Sequence, residues 1–378
     1  MKIKQIDLIP VIVPVREGTL HSKGLVRPLH MLKVGASKGW TKEFYELNKY
    51  IIRIRLDNGT EGIGESLRVD SSQMLENIAA SLIGSDPRTF NLYDLPIPYS
   101  RDYDGFEAGI FDLIGKIRGL SVCEMLGGAF RDRVAVSGWF GHMLPEDCAR
   151  RAKHFASKGF HSIKFKSNLT DDAVLQCKAI REAVPEMKVI IDPNGRWERA
   201  GEALRLCQSL REIGNVWFLE DPIPRWDLDG WRHLRTTGGI PLAFHTHIPY
   251  IELFQKPQDP VLAYKANAID YFNLSGPMSW VLRMAHFAEL VNVPFWHGSE
   301  LDFGILEASY VHVSAASKMC TLPSDILGEE VRENDLIKNP LQYDGKGNYL
   351  VPKGPGLGVE LDEEAVRHYQ SGKTISIS

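Results

Sequence analysis

The sequence lacks features that mark several large functional classes. Its five cysteines form no C-x-x-C pair, so we expect no disulfide framework and no thiolate zinc site, and a reducing, cytoplasmic location fits. No uninterrupted apolar run approaches the roughly 18 residues that a membrane span needs, so we expect no membrane partner. The formal net charge of -4 gives no basic field that would favour nucleic acid. A dinucleotide fingerprint, G-x-G-x-x-G after a first strand, is also missing.

The first third of the chain has the pattern of an α+β unit. The opening stretch is basic and then apolar like a signal peptide, but Asp7, Pro10 and Pro14 interrupt it and we predict a strand. Residues 50–66 alternate apolar and polar side chains about an Asn-Gly turn, which predicts a hairpin. Residues 70–84 and 105–119 each carry an apolar stripe at helical spacing.

Beyond residue 133, short apolar runs alternate with amphipathic helical stretches. The polar residues that end these runs recur every 24 to 28 positions, at Lys166, Asp192, Glu220, His245, Asn273, His297 and Asp325. This period predicts an α/β protein with a (β/α)7β TIM-like barrel, and a doubly wound open sheet is the alternative. We therefore predict an α+β capping domain over 1–125, a catalytic barrel over 126–330, and a C-terminal segment over 331–378 that returns to the capping domain.

The segment "SIKFK" carries two lysines within an apolar run. Strand alternation directs Ile163 and Phe165 toward the outer helices and Lys164 and Lys166 into the barrel. Two surface lysines at a wet strand end are one interpretation. The functional interpretation is that both face an anionic ligand, and that each ammonium lowers the pKa of the other until one amine can act as a base.

The following strand ends supply oxygen and nitrogen ligands. Asp192 and Asn194 share one face after the third barrel strand, and Glu220 ends the fourth. A single Asp at a strand end is often a turn former, but two acidic ends on adjacent strands favour a divalent cation between them. After the fifth strand, either His245 or His247 can complete the set, because both point inward.

These motifs together resemble the enolase superfamily, and within it the mandelate racemase and muconate lactonizing branches. The resemblance rests on Lys164-x-Lys166, Asp192 and Glu220-Asp-Pro in order, with "DNGTEGIGES" and "IRGLSVCEMLGG" before them, and it covers nearly the whole chain. It implies a Mg2+ ion that binds a substrate carboxylate and a strand-end base that removes the adjacent proton. It also implies metal ligands Asp192, Glu220 and His245, and a homo-oligomer such as a dimer or octamer.

The departures from the family pattern narrow the expected reaction. A His as third ligand resembles a set of acid-sugar dehydratases that includes a galactarate dehydratase, and it leaves Mn2+ possible beside Mg2+. The sixth strand offers Asn273 where the racemases have Asp and the lactonizing enzymes have Lys. One base, Lys166, then suits elimination from a sugar acid, with Lys164 and Asn194 binding it.

An acid must help the hydroxyl to leave. His297 is the predicted acid, with Lys164, Tyr99 or Tyr103 as alternatives, and a histidine that is merely hydrogen-bonded beside Trp296 is the other interpretation of His297. Residues 20–45 resemble the mobile lid of the family, and carry basic residues that could grip a distal carboxylate: His21, Lys23, Arg27, His30 and Lys33.

The sequence also allows three other functions. An epimerase or cycloisomerase uses the same scaffold, and a metal-dependent hydrolase is suggested only by the His245-x-His247 pair. A barrel that binds a sugar acid without catalysis is the last alternative. The sequence leaves the exact substrate and its stereochemistry undetermined.

Overall fold

A computed structural model describes residues 1–23, 25, 45–68, 71–246 and 258–378. Its first layer, which we call the capping layer, contains a four-stranded antiparallel sheet of β1 Ile3–Pro14, β2 Glu46–Leu56, β3 Glu61–Glu65 and β13 Ile375–Ile377. The strand order is β13-β1-β2-β3. The predicted hairpin is confirmed, because β2 and β3 pair across a turn in which Gly59 has a φ of +85°. The last strand of the chain pairs with the first.

Two long helices pack on this sheet and confirm the predicted apolar stripes. Helix α1 spans Gln73–Leu82 and buries its whole predicted stripe against the sheet. Helix α2 spans Tyr103–Arg118 and ends at Gly119, which is left-handed. The two backbones meet closely, because a Cβ on Gly64 of β3 would lie 2.0 Å from the carbonyl oxygen of Gly105.

The second sheet is parallel and curls into the predicted barrel. It has seven strands in sequential order. They are β5 Gly138–Phe140, β6 Ser162–Lys166, β7 Lys188–Asp192, β8 Val216–Glu220, β9 Leu242–Thr246, β10 Tyr271–Leu274 and β11 Phe295–His297. An eighth segment, 320–324, makes only isolated parallel bridges from Cys320 to Phe295 and from Ser324 to Val136. Pro323 lies in that segment and has no N–H to donate, which keeps the closing strand short.

Helices surround the barrel and follow its strands. The described helices outside the first layer are α3 Val122–Met125, α4 Pro145–Ser157, α5 Ala173–Ala183, α6 Ala200–Ile213, α7 Leu228–Thr237, α8 Asp259–Lys265, α9 Met278–Leu290, α10 Gly304–Ala315 and α11 Glu363–Tyr369. The remaining strands, β4 Arg133–Ala135 and β12 Asn348–Leu350, pair antiparallel. No helix in the described ranges is long and apolar enough to cross a membrane.

The barrel interior is filled by a layer of apolar side chains. Ile190, Phe218, Ala243, Trp296 and Leu322 form one buried cluster inside the sheet. Because successive strand residues alternate sides, the residues two positions after these also face inward, one level nearer the carboxyl ends of the strands. This level is where the predicted site residues lie.

Candidate functional site

The carboxyl ends of the barrel strands surround a polar cavity. Its wall includes both predicted lysines and residues from four other strand ends: Lys164, Lys166, Asn194, Glu220, His245 and Asp325. In parallel barrels this end of the sheet carries the functional groups, because all the strand ends converge there. The structure thus brings the predicted residues of strands two to five together.

Lys164 lies at the centre of a cluster of carboxylates. Its Nζ is 2.5 Å from Glu220 Oε2, 2.7 Å from Asp325 Oδ2 and 3.3 Å from Asp192 Oδ2. Burial alone would lower the pKa of Lys164, but the three carboxylates outweigh it and hold that pKa well above its usual value. The net effect of these neighbours on the pKa of Lys164 is therefore upward, so Lys164 carries its proton near pH 7 and is not the neutral member of the predicted lysine pair.

Lys166 and Asn194 are both organised by Asp192. The Lys166 ammonium donates to Asp192 Oδ2 at 2.5 Å. Asn194 donates its backbone N–H and its side-chain amide to Asp192 Oδ1, at 3.0 and 2.8 Å, which holds Asn194 at a φ of +49°. Burial would raise the pKa of Asp192, but Lys166 and Lys164 hold it far below the usual value. Asp192 is therefore ionised at any physiological pH.

Glu220 and His245 are neighbours on adjacent strands. His245 Nδ1 lies 3.7 Å from Glu220 Oε1, and the Asn273 amide donates to the same oxygen at 2.7 Å. Burial and the charge of Asp192 raise the pKa of Glu220 to about 8. His245 Nε2 contacts Ser275 Oγ at 2.7 Å. The alternative ligand, His247, lies outside the described residues.

The chemistry of this set suits a hard or borderline divalent cation, but its arrangement does not yet form a ligand shell. Two carboxylates and one imidazole come from three adjacent strands, which is a donor set that Mg2+ and Mn2+ accept. In the described part of the chain, however, no three His, Cys, Asp or Glu side chains converge on one point as metal ligands do. Lys164 contacts both carboxylates, and its ammonium takes up the space between them.

The structure corrects the prediction that His297 is the general acid. Strand β11 turns Trp296 into the barrel, so the next residue, His297, points outward against helix α10. Its ring stacks on Tyr310 at 4.2 Å between centroids, and its Nδ1 donates to the Gly298 carbonyl oxygen at 2.5 Å. Burial lowers the pKa of His297 to about 4, so the ring is neutral near pH 7. His297 thus lies on the wrong side of the strand to protonate a group in the barrel.

The tyrosines suggested as alternative acids lie in the capping layer. Tyr103 is fully buried within the apolar core of that layer, and its hydroxyl accepts the backbone N–H of Leu95 at 3.2 Å. Tyr99 stacks on Tyr103 at 4.8 Å between centroids. Neither side chain lines the cavity, so neither placement supports a role as acid.

Two residues beside Lys164, Asp325 and Trp296, were not predicted as site residues from the sequence. Asp325 follows the closing segment, and it accepts the Lys164 ammonium on Oδ2 and the Trp296 indole N–H on Oδ1, at 2.7 and 2.9 Å. Asp325 was visible in the sequence as the last polar residue in the βα period. The contact with Trp296 had no sequence signal, since it depends on which face of β11 turns inward.

The capping layer adds an arginine to the cavity wall. Arg68 follows β3 and pairs with Glu300, which lies beyond β11, at 3.3 Å between Nη2 and Oε2. Arg101 approaches the same carboxylate oxygen at 3.7 Å. Of the predicted lid, Arg27, His30 and Lys33 lie outside the described residues, whereas His21 stacks on His142 at 6.1 Å between centroids.

Comparison with known proteins agrees with this geometry. Residues 147–365 match the family model described as "Enolase C-terminal domain-like". The chain is 23% identical to the N-succinyl-L-Arg/Lys racemase of Bacillus cereus, over 97% of both chains. It is 26% identical to muconate cycloisomerase 1 of Pseudomonas putida, over 93% of this chain and 96% of that protein.

One further sequence relative and one crystal structure are also similar to this chain. The D-galactonate dehydratase of Ralstonia nicotianae is 26% identical, over 83% of this chain and 89% of the dehydratase. The crystal structure of the Bacillus cereus racemase superposes with a TM-score of 0.82 at 21% identity, over 100% of both chains. That superposition shows the fold.

Proposed function

This chain belongs to the enolase superfamily, in the mandelate racemase and muconate lactonizing family, and from that premise we propose that it is a metal-dependent acid-sugar dehydratase. It would remove the proton next to a carboxylate and eliminate the neighbouring hydroxyl, giving a 2-keto-3-deoxy acid. Galactarate is the first substrate to test, because His245 in the third ligand position resembles galactarate-type dehydratases.

The observation that carries the proposal is a one-sided distribution of bases. Lys166 faces the cavity from the second barrel strand, paired to Asp192. Across the barrel, the inward residues at the carboxyl ends of the sixth and seventh strands are Asn273, Trp296 and Gly298, none of which is a base. Racemisation by two bases requires one on each face of the carbanion, whereas elimination requires one base and a proton donor. Among the described residues, this one-sided arrangement supports elimination over racemisation by two bases.

Named roles follow from the contacts. After the Lys166 ammonium has lost a proton to solvent, its amine takes the α-proton, and the electron pair of that C–H bond forms the new C=C bond as the β-C–O bond breaks. The hydroxyl leaves as water with a proton from Lys164, which alone among the acids suggested by the sequence faces the barrel in the described structure. The enol product then tautomerises to the 2-keto acid. The Lys164 charge also favours the negative charge that develops on the substrate.

Asp192, Glu220 and His245 would hold the metal in this proposal. A bound Mg2+ or Mn2+ supplies Lewis-acid stabilisation of the substrate carboxylate as it gains charge. Asp221 supports the third ligand, since its Oδ1 accepts the His245 backbone N–H at 3.1 Å. The other carboxylate oxygen of Asp221 pairs with Arg225, whose Nε lies 2.8 Å away. The Asp221 side chain is therefore held by Arg225 on one side and by the His245 backbone on the other.

An epimerase or cycloisomerase is the second candidate, because the relatives named above include a racemase and a cycloisomerase. A panel of mono- and diacid sugars, incubated with the protein and Mg2+ in D2O, separates the two. Formation of a 2-keto acid supports dehydration. Deuterium incorporation with no loss of water from any substrate contradicts dehydration and supports the second candidate.

A further inference from the structure

The position of Lys164 raises a question about the proposed metal site. Its Nζ contacts Asp192 Oδ2 and Glu220 Oε2, which belong to the two carboxylates proposed as metal ligands. The side chain is 3% exposed, so little solvent shares the site with it. Lys164 is level with Ile190 on the neighbouring strand, one inward layer below Asp192, so its side chain reaches the two carboxylates from the packed interior of the barrel.

A metal and this ammonium cannot use the same space. Carboxylate oxygens approach Mg2+ to about 2.1 Å, and the ammonium contact distance is about 2.8 Å, so both cations need the volume between the two carboxylates. Two adjacent positive charges at that distance would also repel strongly in a buried site. The two carboxylates therefore have one cation position between them and two candidates for it.

We propose that Lys164 is a built-in counterion that competes with the divalent metal for Asp192 and Glu220, and that Asp325 is the partner to which it turns when the metal binds. This inference rests on the proposed metal site. Asp325 already contacts the Lys164 Nζ, at 2.7 Å. Trp296 fixes Asp325 from the other side through its indole N–H, at 2.9 Å. In this proposal the lysine side chain rotates when the metal binds, keeps the Asp325 contact and gives up the other two.

The same arrangement explains why the carboxylates can be packed so closely. Without a cation between them, Asp192 and Glu220 would repel each other in a buried site. Lys164 supplies that charge through the contacts of its ammonium with both carboxylates. Lys166 differs in placement, because its ammonium pairs with Asp192 at 2.5 Å, whereas the Lys164 ammonium contacts Asp192 and Glu220 together. Lys166 therefore serves as a matched control that removes charge from the same cluster.

The test is a titration of the intact protein with Mn2+. Binding is measured as the decrease in the electron paramagnetic resonance signal of free Mn2+. We expect Lys164→Met to bind Mn2+ at least about tenfold more tightly than the wild type, because the competing charge is gone. Lys164→Arg, which keeps the charge, should not bind more tightly. Lys166→Met should tighten binding less than Lys164→Met does. Equal or weaker binding by Lys164→Met, with the wild type binding well, would overturn the competition and leave the metal site standing.

Absence of Mn2+ binding by the wild type and by Lys164→Met alike would instead overturn the metal site itself, and the competition with it. A second readout is thermal unfolding: Lys164→Met should melt earlier than the wild type in EDTA, and saturating Mn2+ should close most of that gap. An equal gap under both conditions contradicts the inference. If the Met variant does not fold, Lys164→Gln is measured in the same way, since the amide is neutral and keeps hydrogen-bonding capacity.

The role of Asp325 is tested by a double-mutant cycle on the same Mn2+ titration. Asp325→Asn should weaken Mn2+ binding, because Lys164 then has no alternative partner and stays on the two ligands. The weakening should largely disappear in a Lys164→Met background, since the effect acts through the lysine. Additive effects in the double variant would show that Asp325 acts on the metal by its own charge and would overturn its assigned role.

Discussion

Replacing Lys49 with Met should be among the most destabilising single changes in this chain. Lys49 lies on β2 with its side chain fully buried, and its Nζ is 2.7 Å from both Glu65 Oε1 and Asp302 Oδ1. Glu65 also accepts two backbone N–H groups at the start of helix α10, from Phe303 and Leu306 at 2.7 and 3.2 Å. Asp302 follows β11, so this triad joins the capping sheet to the barrel.

The size of the stability loss follows from the two carboxylates, Glu65 and Asp302, that lose their partner when Lys49 is replaced. Met fills most of the lysine volume, so the cavity cost is small, but two buried carboxylates lose their shared cation. Breaking a buried ion pair from one side costs about 3–5 kcal/mol, and the retained N–H contacts of Glu65 place the expected loss near the lower end. We expect the free energy of unfolding to fall by about 3 kcal/mol. It is measured by urea titration at pH 7, with unfolding monitored by near-ultraviolet circular dichroism.

A matched control separates burial from pairing. Lys318 and Glu289 pair at 2.8 Å, but their side chains are 56% and 40% exposed. Lys318→Met should change stability by less than about 1 kcal/mol, because solvent screens the pair. The deficit of Lys49→Met should also shrink as the pH falls, since protonation removes the uncompensated charges. Equal losses of unfolding free energy for Lys49→Met and Lys318→Met at pH 7 would refute the idea that burial makes the Lys49 pairing strongly stabilising.

Three more predictions address the site and the interface between the layers. Lys166→Met should fold and bind Mn2+ yet reduce substrate α-proton exchange with D2O by roughly 100-fold or more, measured by NMR; undiminished exchange removes Lys166 as the base. His245→Ala should weaken Mn2+ binding at least about tenfold by the same resonance titration, and unchanged affinity would move the third ligand elsewhere. Burial raises the pKa of Glu107, which accepts backbone N–H groups at the start of helix α9, from 4.5 to about 7. The folded state therefore holds this proton more tightly, and stability should fall as the pH rises from about 4.5 to 7. Glu107→Gln should remove about 3 kcal/mol of that decline in urea titrations, and an unchanged slope contradicts the assignment.

Local pattern was enough to predict the barrel and the level at which its polar residues lie. Strand alternation placed Lys164 and Lys166 inside, and the βα period brought Asp192, Glu220 and His245 to the ends of three adjacent strands, as in the structure. These inferences succeeded because strand geometry has a period of two and parallel strands end on one side of the sheet. Both rules act over a few residues or one repeat.

Tertiary structure decided the features that depend on contacts between distant residues. Strand β11 has three residues, too few for alternation to set its phase, so packing of Trp296 into the barrel decided that His297 points outward. The pKa of Lys164 depends on Asp325, which lies 161 positions away in sequence and 2.7 Å away in space. Lys49 and Asp302 meet across 253 positions in the same way. The sequence by itself determined which side chains share a face, because that is local geometry. Only the folded chain determined which charges share a solvent-excluded volume, because electrostatic energy depends on distance in space and on burial.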